Sequence, residues 1–274
     1  MNTNQKYKHW FVPDAKILCC KNSKDEMTRY KVNLEYDGTD LIGWQENQDG
    51  PSVQSLLQDA IFQFCGERVT VYSAGRTDAG VHALAMVAHF DLEREQDAQT
   101  VMRAMNFYLT NKPVAVLSCE KVSDDFHSRF SCTSRHYKYI VINRSAPVVL
   151  NKNRVWWVPQ KLDINAMQNA AMKLTGKHDF TSFRAAQCQA KSPIKTLDSV
   201  SITQNGDEIV FEFSARSFLH HQVRNMVGTL VEIGMGKPYD IDEIFNAKDR
   251  SAAGITAPAS GLYFVSADYA TDVD

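Results

Sequence analysis

A chain of 274 residues, 44% hydrophobic and 23% charged, has the composition of an ordinary globular protein, long enough for one large domain or two intimately packed halves. A net charge of −2 gives no reason to expect non-specific binding to a polyanion, although a local basic groove can coexist with an acidic exterior. No apolar run is long enough for a membrane-crossing helix, the N-terminus has no signal-peptide core, and the six cysteines form no C-x-x-C, which argues against zinc or dithiol sites and for reduced thiols in the cytoplasm.

Residues 1–28 are polar, mixed in charge and aperiodic, and read as an extension outside the fold. Arg29–Tyr36 alternates with period 2, placing Tyr30, Val32, Leu34 and Tyr36 on one face of a strand. Pro51-Ser52 opens a helix with apolar positions Val53, Leu56, Leu57, Ala60, Ile61 and Phe64, stopped by Gly66. Strands at Val69–Ala74 and Ala83–Phe90 flank Gly75-Arg76-Thr77-Asp78-Ala79-Gly80. Two glycines bracketing Arg-Thr-Asp make a tight loop that pushes the Arg76 and Asp78 side chains out of the sheet; by itself such a hexapeptide is more often an ordinary hairpin turn. A helix near Asp97–Leu109 and a strand near Val114–Cys119 complete a β-α-β-β-α-β unit, the ferredoxin-like arrangement.

The second half repeats the theme. Strands are expected at Tyr137–Asn143 and Val155–Val158, followed by a helix capped by Asp163 and ended by Gly176. Leu197–Thr203 and Glu208–Ala215 form a hairpin across Gln204-Asn205-Gly206-Asp207. Phe218–Ile233 reads as a helix with core face Val223, Met226, Val227, Leu230 and Val231, and Leu262–Tyr269 as a closing strand. The expected fold is α+β: two ferredoxin-like halves, 29–123 and 124–274, with antiparallel sheets side by side and helices on one face. The site belongs in the cleft between them.

Gly75-Arg76-Thr77-Asp78-Ala79-Gly80-Val81-His82-Ala83 resembles the signature loop of the TruA family of tRNA pseudouridine synthases. The family's other blocks follow in order: Tyr36-Asp37-Gly38-Thr39 with Gly43-Trp44-Gln45, Asp125 to Ser131, Arg135-His136-Tyr137-Lys138-Tyr139, His178 to Ala186, Phe218 to Gly228, and Thr256 to Tyr263. The pattern begins just after Met27, which suggests Met27 as the natural start. Departures from the common pattern, at Leu41, Met86, Asn111-Lys112-Pro113 and Gln222, remove no chemical group.

The resemblance implies a homodimer that isomerises uridines of the tRNA anticodon stem-loop (tRNA positions 38, 39 and 40) to pseudouridine, with no cofactor and no metal. It makes Asp78 the catalytic residue, Arg224 its partner, Tyr137 a wall against the target uracil that helps move the C5 proton, and Arg76 the residue that fills the space of the flipped base. Arg184 is a further substrate-binding candidate, and Arg135, Lys138 and Lys191 are candidate phosphate contacts, although surface cations are usually just solvated. Whether Asp78 attacks C1′, attacks C6 or acts as a base at C2′ stays open.

The chemistry suits these residues. A carboxylate with a pKa near ~3.9 is charged at neutral pH without a neighbouring base. The sequence has no G-x-G-x-x-G, no phosphate-binding G-x-x-x-x-G-K-[ST] and no H-E-x-x-H. His220 and His221, adjacent on the expected helix, would point about 100° apart and make poor co-ligands; His178-Asp179 lacks the further ligands of a metal phosphohydrolase. Two rivals remain: a retaining glycosidase or nucleosidase, which wants a second carboxyl near Asp78, and a catalytically silent RNA-binding protein.

Overall fold

The computed structural model describes residues 27–270; of the extension expected over residues 1–28, residues 1–26 lie outside the described residues, and Thr28 already belongs to the first strand. The first strand, β1 (Thr28–Tyr36), buries Tyr30, Val32 and Leu34 completely, as its alternation requires. The first helix, α1 (Val53–Cys65), starts in a capping box: Ser55 N donates to Ser52 Oγ at 3.0 Å, and Ser52 N to Ser55 Oγ at 3.1 Å. Then come β2 (Tyr72–Ser73), β3 (His82–Leu92), α2 (Ala98–Tyr108, capped by Asp97) and β4 (Val114–Val122). The remainder is β5 (Cys132–Asn143), β6 (Trp156–Val158), α3 (Ile164–Met172), β7 (Gly176–Asp179), β8 (Ile194–Leu197), β9 (Ser199–Asn205), β10 (Glu208–Ala215), α4 (Gln222–Gly234), α5 (Ile241–Ala247) and β11 (Leu262–Tyr269).

Among the described residues, nine strands form one mostly antiparallel sheet in the order β4-β1-β3-β11-β5-β10-β9, with β2 added on β3 and β6 on β5. Only β3–β11 and β5–β6 are parallel, and β7 and β8 make a separate hairpin. The two sheets expected side by side are thus edge-joined into one. The join is short: Tyr263 faces His82 and Phe264 faces Ala83. One apolar core lies under β1, β3 and β4 with α1 and α2, and a second under β5, β9 and β10 with α3 and α4. Phe264, from the last strand, is buried in the first core, and Tyr137 packs on both.

Three of the boundaries that differ from the sequence expectation have a visible local cause. The strand at Val69–Ala74 shrinks to Tyr72–Ser73, because side-chain amides of α1 take the backbone groups of Val71: Gln54 Nε2 donates to its carbonyl at 3.0 Å, and its N–H donates to Gln58 Oε1 at 3.4 Å. Leu197 leaves the hairpin to pair with Gly176 in β7–β8. The helix expected from Phe218 begins only at Gln222, because His221 has φ of 62° and ends any continuous helical path through residues 218–221.

Candidate active site

A cleft of about 950 Å³ opens where the two groups of strands meet, walled by the Ala74–Ala79 loop on one side and by Tyr137, Phe218 and the start of α4 on the other. The loop is held from behind. Trp44 N donates to Thr77 O at 3.0 Å, Gly43 and Asp78 form an isolated bridge, and the buried Tyr36 hydroxyl meets Thr77 Oγ1 at 2.8 Å. Gly43 adopts φ of 104°, and a Cβ there would stand 2.5 Å from the Thr77 carbonyl oxygen, so only glycine allows this approach.

Three side chains meet at Asp78. Arg224 Nη1 donates to Oδ2 at 2.9 Å, His221 Nε2 lies 3.2 Å from the same oxygen, and His220 Nε2 lies 3.2 Å from Oδ1. Arg224 is itself fixed: its Nε donates to Ala257 O at 2.8 Å, and its backbone carbonyl accepts from Ala257 N at 3.1 Å. Burial opposes ionisation of Asp78 and is the largest single influence, but the hydrogen bonds and charges of His221 and Arg224 outweigh it and hold the carboxyl at about 2. A carboxylate this well held is ionised at any physiological pH.

The left-handed turn at His221 corrects the reading of the two histidines. They are not on a helix pointing apart; their ring centroids are 4.1 Å apart and both rings face one carboxylate. The His–His–carboxylate set has donor atoms within 4.8 Å of one another and is chemically suited to a transition-metal ion. However, the Arg224 guanidinium already sits on Oδ2 and opposes a second cation there.

Tyr137 stands on β5 with its ring edge-on to Phe218 (5.1 Å) and Phe264 (5.3 Å). Burial pushes its phenol far above the usual tyrosine range, and the Asp78 charge adds to the effect, so it is a donor and a wall at neutral pH and a poor base. Arg76 is exposed on the cleft wall beside Arg129, a residue to which the sequence reading gave no role. Burial lowers the Arg129 pKa, and the charges of Arg76 and Arg135 lower it further, which places three guanidiniums around one corner of the cleft.

Other expected residues fall elsewhere. Arg135 is buried, and its guanidinium is bonded to the carbonyls of Ala74 (2.8 Å), Arg129 (2.7 Å) and Arg216, which makes it a brace for the loop and not a phosphate contact. Arg184 caps a short 3-10 turn and is not part of the cleft wall, although the next residue, Ala185, donates to the His220 carbonyl at 3.0 Å. Lys138 lies 5.2 Å from the Tyr263 ring, off the wall, and Lys191 is exposed. His178 stacks on Phe245 while Asp179 binds Thr181, a structural pair. Asp91, the second carboxylate a glycosidase would need, is paired with Arg29 at 2.6 Å and lies outside the cleft wall.

A family model described as tRNA pseudouridine synthase matches residues 34–131 and 170–270. A protein of Rhodospirillum centenum called tRNA pseudouridine synthase A is 56% identical over 245 residues, covering 89% of this chain and all of that one. Proteins of the same name from Paramagnetospirillum magneticum and Maricaulis maris are 51% and 52% identical over 245 residues, covering 96% and 98% of their lengths. Among solved structures, a chain of a Cbf5-Nop10-Gar1 complex aligns with a TM-score of 0.36 at 11% identity, over 86% of this chain and 48% of that one, a likeness too distant to inform the fold.

Proposed function

The chain belongs to the tRNA pseudouridine synthase family, and on that footing we propose that it converts uridines of the tRNA anticodon stem-loop to pseudouridine with Asp78 as nucleophile. The isomerisation breaks the bond from uracil N1 to ribose C1′, forms one from C5 to C1′, and moves a proton from C5 to N1. It consumes no water and transfers no electrons, so a charged nucleophile and a means of holding the detached base are what it asks of the protein. The observation that carries the reading is the Asp78 carboxylate, held at about 2 by the partners that grip it and open to a cleft with a guanidinium corner.

In this reading Arg224, His220 and His221 fix the rotamer of Asp78, so that it meets the sugar without reorganising. Tyr137 bounds the uracil. Arg76, exposed and without a hydrogen-bond or ion-pair partner among the described residues, takes the place of a uridine flipped out at a cost of a few kcal/mol. Arg129 joins it on the phosphates. The strand orders β4-β1-β3-β2 and β11-β5-β10-β9 support two ferredoxin-like halves, 29–123 and 124–274, with the cleft between them. Exposed Phe107 and Tyr108, with ring centroids 5.1 Å apart, support a second copy of the chain covering that face, and a working place in the cytoplasm follows from the substrate.

The test is a map of carbodiimide-reactive uridines in tRNA after incubation with wild type and with Asp78→Asn. Wild type is expected to create stable adducts in the anticodon stem-loop, while Asp78→Asn binds tRNA and creates none. Released free uracil would turn the reading toward a nucleosidase, and wild-type levels of product from Asp78→Asn would remove Asp78 from the chemistry.

A further inference from the structure

Beside the cleft, three aromatic side chains follow one another on the surface. Tyr72 is 48% exposed and Phe130 is 73% exposed. His127 lies between them, its ring centroid 5.5 Å from Tyr72 and 4.4 Å from Phe130. Single exposed apolar residues are unremarkable on any protein, but a contiguous row is uncommon on a surface that meets only water.

The row is built on a rigid base. Ser128 is fully buried; its hydroxyl donates to Tyr72 O at 3.0 Å and lies 2.9 Å from His89 Nδ1. His127 Nδ1 accepts the backbone N–H groups of Arg129 (3.1 Å) and Phe130 (3.4 Å), and Ser131 N closes the turn on His127 O at 2.9 Å. Beneath, His89 stacks on Tyr72 at 5.1 Å. Burial lowers the pKa of both His89 and His127, with the charge of Arg29 contributing, so the rings are neutral at physiological pH. The row therefore offers π-surface without charge of its own.

Its position says what would cover it. Tyr72 leads through β2 into the loop that carries Arg76 and Asp78, and Phe130 follows Arg129, whose guanidinium lines the cleft 5.9 Å from the Phe130 ring. Aromatic surface beside guanidinium groups suits unpaired nucleobases with their phosphates, since bases stack on aromatic faces and phosphates take arginine. An apolar protein segment would have no use for the adjoining cations. We propose that Tyr72, His127 and Phe130 form a stacking platform for unpaired bases of the RNA loop that adjoins the target uridine. This rests on the reading of a tRNA substrate.

The experiment uses the full chain carrying Asp78→Asn, so that binding is read without turnover. Affinities are measured for a tRNA transcript and for a fully paired duplex of its anticodon stem. Adding Phe130→Ala or Tyr72→Ala is expected to weaken tRNA binding about tenfold each, within the range for loss of one stacked base. Duplex affinity and the salt dependence should stay unchanged, because no phosphate contact is lost. Phe130→Trp should keep tRNA affinity, with fluorescence quenched by tRNA and not by the duplex. Unchanged tRNA affinity in both alanine variants, or equal losses for tRNA and duplex, would overturn the platform. Wild-type conversion of uridine is assayed in parallel: its absence would defeat the functional reading itself, whereas conversion with unchanged variant affinities defeats the platform alone.

Discussion

Asp78 is an ordinary carboxylic acid until its neighbours are counted. Removing one of its donors should therefore change rate and pH dependence together. His221→Ala takes away a hydrogen bond to a charged acceptor, a contribution of about 1.5–3 kcal/mol, so turnover is expected to fall about 10- to 100-fold. With less to offset burial, the Asp78 pKa rises from about 2, and the acid limb of the pH–rate profile moves upward. A profile of unchanged shape would show that the histidine only packs. His89 makes a second residue-scale test. It is buried, and burial followed by the charges of His127 and Arg29 holds it at about 4, against 6.5 for a free imidazole. The unfolded chain then binds more protons between those values. Its contribution to stability is full above pH 6.5 and is lost as pH falls toward 4, on the order of 2–3 kcal/mol. The lowered carboxylates act mainly below their unfolded values, 3.8 for the aspartates and 4.5 for Glu232, beneath the pH 5 at which the loss is read. Urea denaturation at pH 7.5 and 5 should show the loss, and His89→Gln should reduce the difference, with His127 accounting for a remainder of the same sign.

Among the elements, α4 has the closest tolerance. It carries Arg224 to Asp78, and the Ile255–Ala257 segment crosses it so closely that a Cβ on Gly228 would stand 1.8 Å from the Ile255 carbonyl oxygen. That same segment supplies the Ala257 carbonyl that fixes Arg224. Gly228→Ala should thus displace the segment, costing about 1–3 kcal/mol of stability as overpacking, and should lower activity well beyond the stability loss because the arginine loses its brace. Urea denaturation and turnover measured on the same preparation separate the two effects; a folded variant with wild-type turnover would show that the segment has no part in aiming Arg224. The turn before α4 belongs to the same logic, since a helix running through residues 218–221 would carry the histidines away from the carboxylate.

For the molecule as a whole, the consequential feature is that the last strand is inserted between β3 and β5. Phe264 on β11 is fully buried in the core formed by the first four strands, and Tyr137 packs on both cores. The cleft therefore exists only while both groups of strands are docked, which couples catalytic geometry to global stability. Wild type should unfold in one transition, with Trp fluorescence and far-UV circular dichroism coinciding. Phe264→Ala should cost about 3–5 kcal/mol, read as a shift of the urea midpoint. Separate transitions in wild type would show that the two groups of strands fold independently.

The local signals were legible because they are short-range: the alternation of Tyr30, Val32 and Leu34, the helix starts at Ser52 and Asp163, and the glycine-bracketed loop each depend on near neighbours in the chain. The signature loop and the Val-Arg-Asn block likewise named Asp78 and Arg224 before any distance was known, since their identity lies in the order of residues. What sequence could not supply was everything that depends on a partner far along the chain. The edge-joining of the sheet, the loss of strand at Val71 to the amides of α1, the diversion of Arg135 to backbone carbonyls and the gathering of two histidines on Asp78 are of that kind. His221 breaks its helix without glycine or proline to announce it; bonds between Leu219 and Gln222 close the turn locally, but the approach of His221 to Asp78 joins residues far apart in the chain, and contacts of that range are written only in the folded chain.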